Sequence, residues 1–431
     1  MNTAHRLRQS RRLAGTALMA AVICVATGCQ SHDSTTPPAS PFVISPAAAF
    51  AGSTVTIHGS DFRALGTGAA ALTIGDTDVT LSRLDDTTMS ALVPATAGGV
   101  LTPVLKLNQR QVQLAPITVF GFADLHTYDT FPIEPVVWPR TGHAVIMGFA
   151  FFTDLEFIDL DTKTITNYPA INCCLNSPGA TYQDSVFVFR SRDDSLEAWR
   201  VLPVPTRIAS AAGFGGGSGW EALQLGPDRW LRASKYQIST PTGLTSIVQP
   251  QGSYMSPRHD RAMFGALAAS GGPSLGTPLA TVPVFAVPSG TVAYLSPLAA
   301  VIGVDFSPDG ELLAMVGGSV YIGAIKRIVL LRAATGEVLG DTTIDRNVYA
   351  VAIDPVRPLL YVSTMTAMRP TVLVLDRSTF RVLGEMQAPA FAFAQADLGS
   401  FIQGGVIALN SQNGLYLFWK QTAWRFTLPE P

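Results

Sequence analysis

The fold is decided by one stretch of the sequence, VDFSPDGELLAMVGG at residues 304–318 with IVLLRAATGEVLG at residues 328–340. This stretch returns as VAIDPVRPLLYVSTM at residues 351–365 with VLVLDRSTFRVLG at residues 372–384. Each copy contains short apolar runs that are separated by turn residues. A repeat of about 40–50 residues built from short strands is typical of a β-propeller blade. Because one blade cannot bury both faces of its sheet, the copies are expected to stack side by side.

The apolar repeat continues on both sides of these two copies. Further copies are predicted at His143–Ile165, Ser185–Trp199, Trp220–Leu231, Tyr254–Val287 and Phe391–Trp419. The sequence therefore predicts an all-β protein with a propeller of about seven blades at residues 121–431. We expect residues 121–138 to lie beside the C-terminal strands, since closing the ring removes exposed sheet edges between the first and last blades.

The C-terminal region resembles the bacterial propellers of the YVTN/NHL/WD-like kind. The residues that carry this resemblance are Phe306-Ser307-Pro308-Asp309-Gly310, Asp354-Pro355, Leu360-Tyr361-Val362 and Val374-Leu375-Asp376. The resemblance implies an architecture. It does not imply an activity, because one fold of this type supports many functions.

Residues 42–120 have a different pattern, in which apolar and polar residues alternate as they do in half-buried strands. Val55 and Ile57 share one face of a predicted strand, and Gly75-Asp76 is a hairpin turn signal between two other strands. The region contains about seven such strands, which is enough for a small β-sandwich.

This N-terminal region resembles the IPT/TIG family of immunoglobulin-like domains. The matching residues are Ile44-Ser45-Pro46, Gly52 to Phe62, and Val93-Pro94-Ala95 followed by Gly98-Gly99. The resemblance implies an Ig-like fold over residues 42–120 and a role as a spacer or an interaction domain. It implies no active site.

The N-terminus has the pattern of an export signal. Four arginines precede the apolar run LAGTALMAAVICVATG, which is too short to span a bilayer comfortably and ends at Cys29. The segment resembles a bacterial lipobox, which implies a signal peptide at residues 1–28, acylation of Cys29 by chains such as palmitate, and an outer-membrane lipoprotein. Residues 29–41 lack large apolar side chains after Cys29 and are expected to form a flexible tether.

The composition limits which classes of partner are expected. Of the 431 residues 47% are hydrophobic and only 14% are charged, and there are 38 glycines and 30 prolines, which favours strands and turns over long amphipathic helices. The lysines and arginines are scattered, without a basic stripe, so nucleic acid is not an expected partner. The membrane is an expected partner through the lipid anchor.

Two features of the sequence, a pair of adjacent cysteines and one tryptophan, are candidate sites. Cys173 and Cys174 are adjacent, so they form either a strained vicinal disulfide in an oxidising compartment or two small apolar side chains in a loop. Trp220 follows a glycine-rich run and could stack on a sugar ring, although a tryptophan is more often part of a core. No cofactor and no metal site are predicted, because the sequence lacks clusters of metal ligands near one another.

The leading hypothesis is a lipid-anchored cell-envelope protein whose propeller binds a protein or a glycan, with the Ig-like domain as a spacer. It could face the periplasm or the outside of the cell. The alternative is an enzyme, a hydrolase, lactonase or lyase with a metal in the central funnel. The residues available to hold such a metal are Asp305, Asn347, Asp354 and Asn410. A third possibility is a purely structural envelope protein.

Overall fold

The computed structural model describes the greater part of the chain from Pro41 onward. The described residues are 41–60, 62, 70–107, 110–127, 130–137, 144–150, 154–168, 181, 183, 186–190, 195–200, 206–211, 221–233, 237–240, 243–246, 250–266, 281–319, 324–367, 369–388, 406–410, 414–419 and 422–430. Every named element in this part of the chain is a β-strand. None of the described residues forms a helix that could span a membrane. The prediction of an all-β protein is confirmed.

The first folded region is a small Ig-like sandwich. Its strands are β1 (Val43–Ser45), β2 (Ala48–Phe50), β3 (Thr54–His58), β4 (Ala70–Ile74), β5 (Thr77–Val79), β6 (Leu81–Arg83), β7 (Thr88–Leu92), β8 (Gly99–Leu101), β9 (Val104–Leu107), β10 (Arg110–Gln113) and β11 (Ile117–Phe120). They form three sheets with the orders β1-β3-β7-β6, β10-β9-β4-β5 and β2-β11-β8. The alternation seen in the sequence sets the core, since Val55, Ile57, Leu72 and Leu105 are completely buried.

The propeller begins directly after the sandwich. The strands of its first half are β12 (Phe122–Thr127), β13 (Thr130–Val137), β14 (Ala144–Ala150), β15 (Asp154–Asp159), β16 (Thr164–Tyr168), β17 (Val186–Arg190), β18 (Leu196–Arg200), β19 (Thr206–Ala211), β20 (Glu221–Gly226), β21 (Arg229–Ala233), β22 (Gln237–Thr240) and β23 (Gly243–Ser246).

The second half of the propeller contains the copies that were clearest in the sequence. Its strands are β24 (Pro250–Met255), β25 (Arg261–Ala266), β26 (Pro283–Ala286), β27 (Val292–Leu295), β28 (Ala300–Phe306), β29 (Leu312–Ser319), β30 (Ala324–Arg332), β31 (Val338–Thr343), β32 (Val348–Ile353), β33 (Leu359–Thr366), β34 (Arg369–Asp376), β35 (Val382–Gln387), β36 (Val406–Leu409), β37 (Gly414–Trp419) and β38 (Thr422–Thr427).

These strands form seven antiparallel blades within the described residues. Blades 1 to 6 are β13–β16, β17–β19, β20–β23, β24–β27, β28–β31 and β32–β35, and blade 7 is β36–β38 with β12. Blades 4 and 5 are joined by one pairing, Ala266 with Val301. Beside blade 2, Thr181 pairs with Gln224 of β20. From blade 2 through blade 7 to blade 1 the first strands of neighbouring blades lie side by side, with β36 next to β13, so they surround a common axis.

The ring is closed by a strand from the beginning of the propeller. In blade 7, β12 pairs antiparallel with β38, from Phe122 opposite Phe426 to Thr127 opposite Thr422. The expectation that this segment lies beside the C-terminal strands is therefore confirmed for β12. The pairing removes a free sheet edge on the last blade, which would otherwise be open to another chain.

The turns between the outer two strands share one backbone conformation in four of the blades. Lys163, Gly290, Gly336 and Phe380 occupy equivalent turn positions in blades 1, 4, 5 and 6, and all four have a positive φ between 56° and 75°. Such a backbone conformation is easy for glycine and costly for other residues, so only the surrounding packing can hold Phe380 there.

The packing at Phe380 is a ring placed on a glycine of the neighbouring blade. Gly340 in β31 of blade 5 lies under the ring of Phe380, and a side chain at Gly340 would overlap that ring. Between blades 4 and 5 the aromatic residue and the glycine change places. There the turn carries the glycine, Gly336, and the outer strand β27 of the neighbouring blade carries the ring, Tyr294. One residue of each pair must therefore be a glycine for the blades to approach closely.

We expect Gly340→Val to destabilise the propeller by about 1–3 kcal/mol, because the added side chain overpacks the contact with Phe380. Urea unfolding followed by tryptophan fluorescence measures this loss. The control is Leu339→Ala at the neighbouring exposed position, which should change the free energy of unfolding by about 0.5 kcal/mol or less. Equal effects of the two substitutions would contradict the contact.

Candidate functional site

The residues proposed for a metal in the central funnel lie at the ends of the innermost strands. Asp305 is in β28, Asp354 directly follows β32, and Asn410 directly follows β36, so these three share one end of the ring. Asn347 directly precedes β32 and lies at the opposite end of that strand. The structure thus brings Asp305, Asp354 and Asn410 to the same face of the propeller. Each of them lies on a different blade.

Asp354 is buried and fully engaged in blade 6. Its Oδ1 accepts hydrogen bonds from the backbone N–H groups of Val356 (2.9 Å) and Arg357 (2.8 Å). Its Oδ2 accepts hydrogen bonds from the Arg357 guanidinium (2.8 Å) and the Tyr361 hydroxyl (2.6 Å). Burial and the neighbouring Asp354 carboxylate raise the pKa of Tyr361 far above its usual range. Arg357 also donates to the carbonyl of Pro429, which follows β38, and so joins blade 6 to blade 7.

Asn410 joins blade 7 to blade 1. Its Oδ1 accepts a hydrogen bond from the N–H of Gly414 (2.6 Å) and closes its own turn, while its Nδ2 donates to the carbonyl of Leu160 in blade 1 (3.2 Å). At Asn347, the backbone carbonyl accepts a hydrogen bond from the hydroxyl of Thr364 in the same blade (2.6 Å).

Asp305 joins blade 5 to blade 6, and Arg258 joins blade 4 to blade 5. The Oδ2 atom of Asp305 accepts a hydrogen bond from the N–H of Ile353 at 2.6 Å. Arg258 donates from Nε to the carbonyl of Asp309 (2.5 Å) and forms an ion pair with Glu311. The polar side chains at this end of the ring therefore form a series of blade-to-blade bonds from blade 4 through blade 7 to blade 1.

The three residues at this end of the ring each have hydrogen-bond partners within the protein. Within the described residues, no group of three or more His, Cys, Asp or Glu side chains could hold a metal ion. Four other residues from the sequence analysis, Cys29, Cys173, Cys174 and Trp220, lie outside the described residues. Their proposed roles in lipidation, disulfide formation and ligand stacking stay predictions.

A second polar feature is the contact between the Ig-like domain and the rim of the propeller. The N–H groups of Glu385 and Gln387, on the outer edge of β35, donate to the carbonyls of Ala51 (2.7 Å) and Ala95 (2.8 Å) in the sandwich. The Ig-like domain therefore takes up edge groups of blade 6 that would otherwise be unpaired.

A close contact at the equivalent glycine lies at this domain junction. Gly384 in blade 6 is the equivalent of Gly340 in blade 5, and it lies against Phe50 of the Ig-like domain. Phe50 also contacts Phe120 within the sandwich, with ring centroids 5.7 Å apart. Phe50 thus takes the place that Phe380 of a neighbouring blade takes one repeat earlier. The repeat in the sequence aligns Gly340 with Gly384, but no sequence pattern indicates which aromatic residues contact them.

The closing strand of the ring carries a charged cluster. Asp124 of β12 forms a two-oxygen ion pair with Arg425 of β38, with N–O distances of 2.9 and 3.0 Å from Nε. His126 on the same strand lies 2.8 Å from Asp124. The hydrogen bonds from Arg425 hold the pKa of Asp124 below its usual range. This cluster fixes the register of β12 and contains no nucleophile.

The comparisons with known proteins agree with the N-terminal fold. Residues 43–119 match the model of the IPT/TIG domain, so the chain contains an Ig-like domain of that family. No curated protein sequence matches the chain.

Three solved structures resemble the chain at low identity. A chain of the mitotic checkpoint complex is 11% identical with a TM-score of 0.47, and it covers 72% of this chain and 92% of its own length. KlHsv2 with loop 6CD replaced by a Gly-Ser linker is 11% identical with a TM-score of 0.45, covering 68% and 90%. A protein of unknown function from Bacteroides thetaiotaomicron is 12% identical with a TM-score of 0.37, covering 90% and 98%. The assignment of a propeller rests on the strand pairing within and between the blades and not on these similarities.

We expect Asp354→Ala to lower the stability of the propeller by about 3–5 kcal/mol, because it leaves the buried Arg357 charge unpaired. Chemical unfolding measures the loss. The control is Asp309→Ala in the equivalent turn of blade 5, where the exposed carboxylate bonds only to Ser307 and Glu311 and the loss should be about 1 kcal/mol. A small effect at Asp354, accompanied by release of a bound metal, would contradict the structural role.

We expect Gly52→Ala to loosen the Ig-like domain from the propeller, because a Cβ there would meet the backbone of Glu385 at 2.7 Å. Gly52 also has a φ of 72°, so Gly75→Ala is the matched control, with a φ of 60° and only ordinary contacts. Calorimetry should show one cooperative transition for the wild type and the control. Two separate transitions are expected for Gly52→Ala, and a single transition would argue against a coupled junction.

Proposed function

We propose that the chain is a lipid-anchored cell-envelope binding protein whose propeller presents a surface to a protein or glycan partner. The observation that carries a binding role is the use of the axial polar residues. Asp305 and Asn410 bond directly to neighbouring blades, and Asp354 holds Arg357, which bonds to Pro429 beside blade 7. Such use of polar side chains is typical of a rigid platform. Rigid platforms favour binding because fewer groups must be ordered when a partner arrives.

The Ig-like domain acts in this proposal as a rigid spacer. Strand β3 begins at Thr54, beside the junction residue Gly52, and ends at His58, which pairs with Val43. The chain therefore enters the sandwich at the pole opposite the propeller. Five residues of β3 correspond to about 17 Å, at about 3.4 Å per residue. Because the sandwich bonds to the outer rim of blade 6, this arrangement supports a propeller that is held away from its anchor.

The anchor itself rests on the N-terminal sequence. In the proposal, Cys29 is acylated and residues 29–41 form a tether that reaches at most about 43 Å, at about 3.3 Å per residue. The outer membrane is the proposed location. The repeated Ser-Pro turns at Ser256 and Ser307 support assignment of the propeller to the YVTN/NHL/WD-like kind.

A retention experiment tests the binding role. The mature chain without its lipid is immobilised, and envelope proteins and glycans are passed over it with and without excess free chain. A partner that binds saturably and is displaced by the free chain is expected. Turnover of a lactone or ester substrate that stops when divalent metal is removed would contradict the proposal and favour an enzyme.

We expect Cys29→Ser to abolish incorporation of labelled palmitate and to release the protein from the membrane fraction, because the acyl chains supply the anchor. Metabolic labelling and membrane fractionation measure both effects. Cys24→Ser is the matched control, since Cys24 belongs to the proposed signal peptide, and it should label and fractionate as the wild type does. Unchanged membrane association of Cys29→Ser would rule out this anchor.

A further inference from the structure

The outer strands of blades 5 and 6 present the same backbone groups at their edges. In blade 6, the N–H groups of Glu385 and Gln387 point away from β34, and the sandwich accepts their hydrogen bonds. The strand pairing of blade 5 places Asp341 and Thr343 at the two equivalent positions of β31. The outer edge of β31 therefore offers the same pair of backbone donors as the outer edge of β35.

In blade 5 these two donors are open to solvent. The N–H of Ile344 donates to the carbonyl of Lys326 (2.9 Å), and bonded pairs alternate with unbonded pairs along an antiparallel ladder. The N–H groups of Asp341 and Thr343 consequently point away from β30, and within the described residues neither has an acceptor. Both residues are exposed, whereas their equivalents in β35 are half-buried.

Blade 4 closes the same edge position with a proline. Pro297 follows the turn residue Gly290 at the same distance in sequence as Thr343 follows Gly336, the equivalent turn residue of blade 5. Proline has no N–H to donate, and an edge is commonly protected from added strands in this way. Blade 4 is therefore protected by a proline and blade 6 by the Ig-like domain, while the edge of blade 5 has neither protection.

The side chains along this open edge suit an uncharged partner. Val338 and Leu339, at the start of β31, are 49% and 39% exposed. The charge of Asp341 is balanced by Arg327, whose Nε lies 2.8 Å from the Oδ1 atom. Because this charge already has its counterpart, the two aliphatic side chains are the part of the edge that gains most from being covered.

We propose that the outer edge of β31 binds an extended segment of a partner protein, which pairs with it as an added strand. In an extended segment the carbonyls of residues i and i+2 point to the same side, so they match the two donors of β31. An aliphatic side chain of the segment covers Val338 and Leu339. This inference rests on the proposed binding role and deepens it, because it selects a protein over a glycan.

A second copy of the chain fits this edge less well. Symmetric antiparallel pairing of two β31 strands places their Asp341 carboxylates opposite or diagonal to each other, and like charges in that arrangement destabilise a sheet. The Ig-like domain of a second copy does not fit either. Its contact with blade 6 uses the space at Gly384, and the equivalent space at Gly340 is already filled by Phe380.

The first test selects random linear peptides displayed on phage for binding to the full mature chain. Thr343→Pro removes one outward N–H and copies the residue of blade 4, so the hydrogen bonds within blade 5 should remain. The selected peptides are expected to bind this variant about tenfold more weakly, because a peptide carbonyl loses its donor. Equal affinities for the wild type and the variant, or a failure to enrich any peptide, would overturn the proposal.

Thr343→Val is the matched control for this comparison. It changes the side chain at the same position but keeps the N–H and the branched shape at Cβ. The selected peptides are expected to bind it as they bind the wild type. If Thr343→Val lost as much affinity as Thr343→Pro, the side chain and not the backbone would be recognised, and pairing as an added strand would be refuted.

The second test needs no variant, so it decides the proposal even if Thr343→Pro folds poorly. In the free wild type, the amides of Asp341 and Thr343 are expected to exchange hydrogen faster than those of Glu385 and Gln387, which the sandwich protects. A saturating selected peptide should slow exchange at Asp341 and Thr343 about tenfold and leave the other two amides unchanged. Unchanged exchange at Asp341 and Thr343 with the peptide bound would overturn the proposal.

Repeating the retention experiment with Thr343→Pro separates this proposal from the binding role. An envelope protein that the selected peptide displaces from the wild type, and that Thr343→Pro does not retain, supports the added strand. A glycan, or a protein retained equally by both chains, would keep the binding role and overturn the edge. Self-association of the wild type that Thr343→Pro abolishes, measured by light scattering, would assign the edge to a second copy and overturn the proposal. If nothing binds the wild type, the binding role itself is wrong.

Discussion

The whole structure depends on one strand pairing, that of β12 with β38. The last blade of the ring is complete only if a strand from the beginning of the propeller pairs with it, and β12 supplies that strand. The ion pair between Asp124 and Arg425 holds the two strands in register. Because β12 begins directly after the Ig-like domain, the pairing that closes the ring also brings the sandwich to the rim.

Once the sandwich is at the rim, it is held by the contacts that blades use with each other. Gly384 lies against Phe50 and Ala51 of the sandwich, at the position equivalent to Gly340, and the N–H groups on the edge of β35 find acceptors in the sandwich. Apolar side chains of the Ig-like domain and of blades 5 to 7 belong to one continuous buried cluster. The two regions are therefore parts of a single packed body, which is a stronger connection than a flexible spacer would need.

The repeat in the sequence was sufficient for the architecture, because strands, turns and blade spacing are local properties. His259 shows this well: it aligns with Gly310 in the repeat, and both have a positive φ in equivalent turns. The roles of Arg357, Asn410 and Arg258 could not be foreseen, since each depends on a partner in another blade. A single sequence offers acids and amides in turns, and only the packing of the blades shows what they bind.

The position of β12 also has a consequence for how the chain is made. Asp124 and Arg425 are 301 residues apart in sequence, so their contact has one of the largest separations that the chain permits. Contacts of this kind form slowly, and they contribute to the stability of the fold only late in folding. During synthesis, blades 1 to 6 remain without a complete neighbour until the last strands emerge. In that interval a chaperone that shields open sheet edges would raise the yield of closed rings.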